Sequence, residues 1–475
     1  NTPVLLGNPA EFRRRFGGAW SLSGLGPAVE QFFEHGGRRL YVVRVANNAR
    51  GAMICLPASH GVLVLRAIDP GSTELIRAAV DYDRIGAADR EHFNLTLQRI
   101  APETGLVVDQ EIYPGLTCRE DDRGFVGNAL LASSLARVQM PAPAERPMPT
   151  GVSGGPLDPG YVGPAQPGSD GADLTDYDLI GAARQCTGLF ALNEVDRFDL
   201  LYLPPPGGRR DHGPAAVLAA ELYCRRRGAM LVMDPPHEWM TADEAVSGMR
   251  RAGYASPNLL TYFPRVCERG DTATRAAGGA VAGLLCRHDR QFGTWQALDG
   301  TALAISRRLM PAISLAVDEA RRLVKEGFNV ITGLPSGRPA LGGSVTLARN
   351  RHLHADFASL HVRRLCLSIT GAIERATRWA VFEADGERVA HRIESQVRAY
   401  LSRLAGAGAF AGDRYAVQCD ADLHAGPRDP RRGITILLTF QPAGAAEPLS
   451  LTLHQTAAGC RVTISAFPPA IAQCA

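Results

Sequence analysis

Between residues 198 and 332, short apolar runs alternate with longer segments of helical periodicity, and no other feature restricts the fold of this chain as strongly. Phe198–Leu203 reads as a strand, stopped by Pro204–Pro206, and Ala215–Arg227 as a helix. Ala229–Met233 is the next strand, ended by Asp234-Pro235-Pro236, followed by a helix over Ala242–Arg251 and a strand over Leu259–Phe263. Gly278–Leu285 reads as a glycine-rich helix, Asp318–Glu326 as a helix and Val330–Thr332 as a strand. Strands buried on both faces read as near-continuous apolar runs, and strands joined through helices run parallel. The alternation predicts an α/β fold with a doubly wound parallel sheet.

The opening segment has the same character. Val4–Leu6 predicts a strand. Pro9–Phe16 predicts a helix closed by Gly17-Gly18, and a second helix opens at Pro27 and stops at Gly36-Gly37. Leu40–Val45 then predicts a strand buried on both faces, so residues 1–50 are expected in the same sheet. Residues 51–138 differ: the strand-like runs Gly61–Leu65, Phe93–Leu97 and Leu106–Val108 predict an inserted β-rich domain, with one helix over Thr73–Val80 and a helical stretch over Val126–Leu135. Residues 139–171 hold 8 Pro and 7 Gly among 33 residues, a composition that cannot sustain a ladder or helix, so an exposed linker is expected. The core resumes over 172–345. Residues 346–475 predict a C-terminal α+β domain with helices over Leu360–Arg378 and Ile393–Ala405 and strands over Tyr415–Cys419, Ile434–Phe440, Leu449–Leu453 and Arg461–Ala466.

Composition excludes several classes. The 475 residues are 45% hydrophobic and 21% charged, which excludes global disorder. The net charge is +3, from 51 basic and 48 acidic residues, which argues against a dedicated nucleic-acid or membrane-surface binder. Of the basic residues 51 − 1 = 50 are arginine, the exception being Lys325. The ten cysteines include no C-x-x-C pair and sit mostly in apolar surroundings, as buried free thiols do. No apolar run approaches the roughly 20 residues of a membrane span. No signal peptide is visible, and a start at Asn1 rather than Met leaves secretion open.

Candidate chemistry is thin. Gly151-Val152-Ser153-Gly154-Gly155 fits the nucleophile-elbow pattern, but that motif needs a strand before it and a helix after it, and here it lies in the linker. His352, His354 and His361 cluster with Asp356 without further ligand spacing, and read as a polar segment. Asp199 and Asp234 lie at strand ends with His212 and His237 nearby, where an α/β active site would sit, yet no serine or cysteine stands in a nucleophile context. No Walker A sequence surrounds Lys325. Gly278-Gly279-Ala280-Val281-Ala282-Gly283 lacks the second glycine of a dinucleotide turn and reads as close helix packing.

A series of fragments in order along the chain resembles contractile tail sheath proteins, those of myophages and contractile injection systems. Near the start they are Thr2-Pro3-Val4, Phe16-Gly17-Gly18, Phe32-Phe33-Glu34-His35-Gly36-Gly37 and Tyr41–Val45. Ala67-Ile68-Asp69-Pro70-Gly71 and Ser133–Val138 match the ends of the inserted module. Thr187-Gly188-Leu189, Leu231–Pro236, Gly279–Gly283 and Gly293-Thr294-Trp295 match the core. Gly343–Leu347, Val362–Leu365, Thr377-Arg378-Trp379 and Val381-Phe382-Glu383 match the C-terminal domain.

The resemblance implies a subtilisin-like but non-proteolytic α/β core, an inserted β-rich domain and a C-terminal α+β domain, with no catalytic residue, metal or cofactor. It implies a mechanical subunit that stacks as hexameric rings around an inner tube and contracts by rigid-body rearrangement. The partners implied are further copies of the chain, the inner tail tube protein, and baseplate and tail terminator proteins, with neither nucleic acid nor membrane among them. Its place would be a virion tail or an extracellular contractile particle, assembled in the bacterial cytoplasm. Terminal arms in the family add strands to a neighbour's sheet, which assigns strand exchange to Ile434, Ile436, Leu438, Phe440, Leu449, Leu451 and Leu453. Two departures stand out: the family's N-terminal arm precedes the residues matched by Thr2-Pro3-Val4, and the tail after Leu453 is longer than the pattern. The alternatives are a non-contractile adaptor or cap related to the sheath, and an α/β hydrolase.

Overall fold

The computed structural model describes residues 2–20, 22–73, 75–151, 160–207, 210–298, 300–334, 336–350, 357–383, 385–422, 432–445 and 447–464. Its contacts divide the chain into two units, one formed by residues 1–44 and 179–475 and one by residues 45–178.

The first unit begins with β1 (Val4–Leu6), α1 (Pro9–Phe16), α2 (Leu25–Glu34) and β2 (Leu40–Val42). Asn8 caps α1 by accepting from the Glu11 amide at 2.9 Å, and Gly17, at φ +80°, ends it. β1 pairs antiparallel with β2 alone, over a small core of Leu6, Phe12, Val29 and Val42. The expectation that residues 1–50 join the parallel sheet is therefore corrected. Leu40 and Tyr41 are only partly buried, and the partner that decides the register of β2 is a strand from its own N-terminus.

The second unit contains β3 (Gly51–Pro57), β4 (Val62–Pro70), β5 (Leu75–Asp81), β6 (Phe93–Ile100), β7 (Val107–Leu116), the short helix α3 (Val126–Ala129) and β8 (Ala136–Val138). Two antiparallel sheets, ordered β3-β4-β8 and β5-β6-β7, share one core that includes Ile54, Leu65, Ala78, Val80, Leu95 and Leu97. The helix expected over Thr73–Val80 is instead strand β5. Its apolar residues fit either period, and pairing with β6 (Ala78↔Leu97, Val80↔Leu95) turns Ile76, Ala78 and Val80 inward together. The described residues of the Pro/Gly-rich segment form no ladder, but single bridges tie it to this unit: Ser169 to Arg50, Gln166 to Met53, Val162 to Ala78 and Pro147 to Ala58. Proline removes the amides a continuous ladder needs, and isolated bridges use those that remain.

The first unit resumes with α4 (Asp176–Ile180) at the boundary, β9 (Leu200–Tyr202), α5 (Pro214–Arg227), β10 (Met230–Met233), α6 (Ala242–Ala252) and β11 (Leu259–Phe263). β12 (Val266–Glu268), β13 (Thr274–Arg275), α7 (Gly278–Phe292), β14 (Leu309–Pro311), α8 (Val317–Lys325), β15 (Asn329–Gly333) and β16 (Pro339–Gly342) follow. β9, β10, β11 and β15 are parallel neighbours in that order, and β16 closes one edge antiparallel. Successive strand residues go to opposite faces. Leu231, Met233, Leu259, Phe263 and Val330 pack under α5, α6 and α8, whereas Met230, Val232, Leu260, Tyr262 and Ile331 pack under α7. Helices thus cover both faces, but the strand order never reverses, so the sheet has no switch-point crevice of the kind that holds ligands in open α/β folds.

α9 (Leu360–Thr377) and α10 (Gly386–Gly406) lead into β17 (Phe410–Asp422), β18 (Gly433–Pro442), β19 (Leu449–Thr456) and β20 (Gly459–Ile464), an antiparallel meander in sequence order. The two helices and the sheet enclose one core, which includes Ile369, Ile373, Ile393, Val397 and Leu401. No helix of the described residues is long and apolar enough to cross a membrane.

The glycines of α7 do what close packing requires. A Cβ on Gly279 would lie 2.4 Å from the Ala28 carbonyl oxygen, and one on Gly283 would lie 2.4 Å from that of Phe32. The backbone of α2 therefore lies directly on that of α7. Gly279→Val is expected to destabilise the fold by about 1–3 kcal/mol or more through overpacking. Gly406→Ala, where a Cβ meets nothing within 4 Å, should stay within about 1 kcal/mol of the parent. Urea denaturation of both variants checks this, and equal effects would contradict it.

Candidate functional site

Two regions bear on function. The first is the C-terminal sheet. Ile434, Ile436, Leu438, Phe440, Leu449, Leu451 and Leu453 are all buried, none more than 5% exposed. They form direct cross-strand pairs (Ile436↔Leu453, Leu438↔Leu451, Phe440↔Leu449) and turn into the core with α9 and α10. β18 pairs with β17 and β19, and β19 pairs with β18 and β20, so both strands have their edges occupied within the chain. The seven residues are thus a buried sheet face, and neither of their strands has an edge to offer another chain. The edges are β17 and β20, each with one neighbour among the described residues. Periodicity identifies which residues face inward but not the order of strands. The expected strand over Arg461–Ala466 is β20 over Gly459–Ile464, and residues 465–466 lie outside the described residues.

The second region is the carboxyl end of the parallel sheet. Asp234 follows β10 and is fully enclosed by hydrogen bonds. Its Oδ1 accepts from the Ala277 and Gly278 amides at 2.9 and 3.0 Å, and its Oδ2 accepts from the Tyr202 hydroxyl at 2.6 Å. Burial pushes the Asp234 carboxyl above its ordinary range, against the lowering effect of these donors and of Arg265. Asp211 accepts from the His237 amide at 2.8 Å, from His237 Nδ1 at 2.6 Å and from Arg265, whose Nε donates to the Pro235 carbonyl at 2.7 Å. His212 Nε2 lies 3.1 and 3.0 Å from the Leu203 and Pro204 carbonyls. The cavity these groups line has a volume of about 40 Å³, room for a few water molecules at most.

Asp199 is not part of this cluster. It precedes β9, at the opposite end of the parallel strands, and pairs with Arg197. Asp211, Arg265 and Tyr202 complete the cluster, and none carries a sequence signal of its own, because they come from three separate loops and strands. The cluster fastens strand ends together, and no acid in it is left without donors to act as a base.

The remaining candidates separate further. Burial pushes the Cys118 and Cys286 thiols up to about 11 and those of Cys419 and Cys460 up to about 12, so they stay protonated at neutral pH. His361 Nδ1 lies 2.9 Å from Ser359 Oγ, and burial lowers its pKa. Ser153, His352, His354 and Asp356 lie outside the described residues. Gly278–Gly283 forms the start of α7 and packs as described above.

Asp234 sets a pH dependence. A carboxyl raised in the fold penalises folding above its folded pKa, and the penalty is relieved as pH falls through that value toward the unfolded one near 3.9. Asp234→Asn carries no such contribution. Its stability relative to the parent should therefore be greatest at pH 7 and decline toward pH 4, read from urea midpoints. A relative stability that grows on acidification would show that the ionised carboxylate is what the fold favours.

No family model matches the chain, and no curated protein matches it. Solved structures do. A sheath tail protein from Listeria innocua aligns over 96% of this chain and 92% of its own, with TM-score 0.63 and 13% identity. A sheath tail protein from Desulfitobacterium hafniense aligns over the same shares, 96% and 92%, with TM-score 0.56 and 13% identity. The helical sheath of the anti-feeding prophage in its contracted state aligns over 59% of this chain and 75% of its own, with TM-score 0.44 and 19% identity, a partial likeness that carries no weight here. Over 96% of its length the chain shares the fold of these two sheath tail proteins.

Proposed function

We propose that this chain is a structural subunit of a contractile tail sheath. The observation that carries the reading is the fold likeness over 96% of the chain to two sheath tail proteins. The closed acid cluster at the strand ends agrees with it, because fold alone does not confer hydrolysis and no open catalytic cleft stands there.

On this reading copies polymerise as stacked rings of six around an inner tube, in a tail or an extracellular contractile particle, with baseplate and terminator proteins at the ends. Contraction is a rigid-body passage between two packings. No nucleotide hydrolysis and no cofactor take part. Subunits stay tethered by backbone ladders that a neighbour's arm makes with an open sheet edge. In this chain the edges suited to that role are β17 and β20, with the seven buried residues of β18 and β19 as the rigid platform beneath. β20 presents Val462 and Ile464 as exposed apolar residues along its length.

Negative-stain electron microscopy of the purified full-length protein tests the reading: hollow tubes with a helical lattice are expected, and only monomers or single closed rings at every concentration and salt would overturn it. Removal of residues 459–475, which takes away β20, should leave a folded protein by circular dichroism and abolish tubes. Tubes that persist without β20 would place the tether elsewhere.

A further inference from the structure

The net charge of the chain is small, yet one face of the first unit concentrates arginine, with Glu34 as the acid beside it. Arg287 and Arg290 project from α7, and Arg338 from the turn before β16. All three reach toward one locality: Arg287 donates to the Ala302 carbonyl at 2.6 Å, Arg290 to that of Gly36 at 2.9 Å and Arg338 to that of Ile305 at 3.3 Å. His35 and Ser306 join these segments directly, with the Ser306 amide donating to His35 Nε2 at 3.0 Å. Exposed Arg38 lies two residues beyond Gly36, and exposed Arg307 and Arg308 follow Ser306.

Nearby arginines are paired, Arg275 with Glu268 and Arg364 with Asp289, but none of these six pairs with a carboxylate among the described residues. Glu34 accepts from Ser306 Oγ at 2.7 Å. Burial, Arg338 and Arg290, in that order, lower the Arg287 pKa, and Arg338 Nε is buried without a partner. Carbonyl bonds hold the central guanidiniums in place but neutralise nothing, and charges within about one Debye length of each other, roughly 8 Å, reinforce one another. Such a face is destabilising in isolation and complementary to carboxylates held in fixed geometry.

The same chain carries a candidate complement. Glu383, Asp385 and Glu387 are exposed around the start of α10, and none of them forms an ion pair with an arginine side chain among the described residues; Asp385 Oδ1 caps the helix by accepting from the Arg388 amide at 3.0 Å. With Arg388 the stretch 382–388 sums to −3 + 1 = −2. Beside them Phe382 is 78% exposed, an apolar residue of the kind that anchors the centre of a charged contact.

We propose that the arginine face around Arg287, Arg290 and Arg338 docks the carboxylates of Glu383, Asp385 and Glu387 of a second copy of this chain. The contact is head to tail. Made in one direction only, it leaves one patch and one acidic segment free at the two ends of every pair, so it can repeat from copy to copy, as an open helical assembly requires. The inference rests on the sheath reading and identifies one of its self-contacts.

A charge exchange tests it with the full-length protein. The variants are R290E/R308E, E383R/E387R and the four-fold combination, each first checked for a parental circular dichroism spectrum and melting profile. Assembly is read by pelleting and electron microscopy across 50–500 mM salt. Each two-fold variant should raise the critical concentration at least about tenfold, equivalent to about 1.4 kcal/mol, and the four-fold variant should recover most of it. Two-fold variants that assemble like the parent, or a four-fold variant as defective as its parts combined, would overturn the contact while leaving the sheath reading intact. If the parent itself forms no tubes, the sheath reading fails, and sedimentation velocity judges the contact alone. Salt-sensitive self-association of the parent that R290E/R308E removes would support it, and a parent that stays monomeric would overturn it.

Discussion

The backbone contact between α2 and α7 is the constraint on which the rest of the first unit depends. Residues 45–178 interrupt this unit, so its opening 44 residues must be fastened to a core that is completed much later in the chain. The fastening is steric at Gly279 and Gly283 and polar at Gln31, whose side chain donates to the Ala276 carbonyl at 3.0 Å and accepts from the Ala280 amide at 3.3 Å. His35 extends it. Its Nδ1 lies 2.7 Å from the Gln31 carbonyl and its Nε2 accepts from Ser306, an arrangement that requires the neutral imidazole, and burial lowers its pKa accordingly. A residue larger than glycine on α7 would hold α2 away and separate every one of these partners.

What could be read from the sequence follows from the range over which each signal acts. β11 and the helices α5, α6 and α9 stand where periodicity places them, because strands buried on both faces and helices with one apolar stripe carry their environment in local pattern. Leu75–Val80 did not. Its apolar residues suit both periods, and the decision came from β6, a strand more than ten residues away in sequence. The separation of β1–β2 from the main sheet has the same origin, since a three-residue apolar run says nothing about which strand it will pair with.

The candidate site shows this limit more sharply. Alternation along Ile434–Phe440 and Leu449–Leu453 correctly marks inward-facing residues, but β17 and β20 decide that those strands are interior. The acid cluster is the reverse case. Asp234 is visible as a strand-end acid, whereas Tyr202 reaches it through the pairing of β9 with β10, and Asp211 and Arg265 join them from separate loops. Asp199 stands before β9 in the chain and therefore at its amino end, the opposite end from Asp234, which follows β10.

The polar groups at the strand ends and those on the outer surface are satisfied to different degrees. A catalytic site leaves polar groups incompletely paired inside a cavity, where substrate completes them. Here the cavity groups are the ones already paired: Asp234 has three donors, and Asp211 holds both His237 and Arg265. On the outside, the edge strands β17 and β20 have one neighbour each among the described residues, and Arg287, Arg290 and Arg338 meet only carbonyls. Edge strands and unpaired like charges are liabilities for a solitary protein, and natural monomers cover or neutralise them. Under the proposed sheath reading, other copies of the chain supply what these outer surfaces lack.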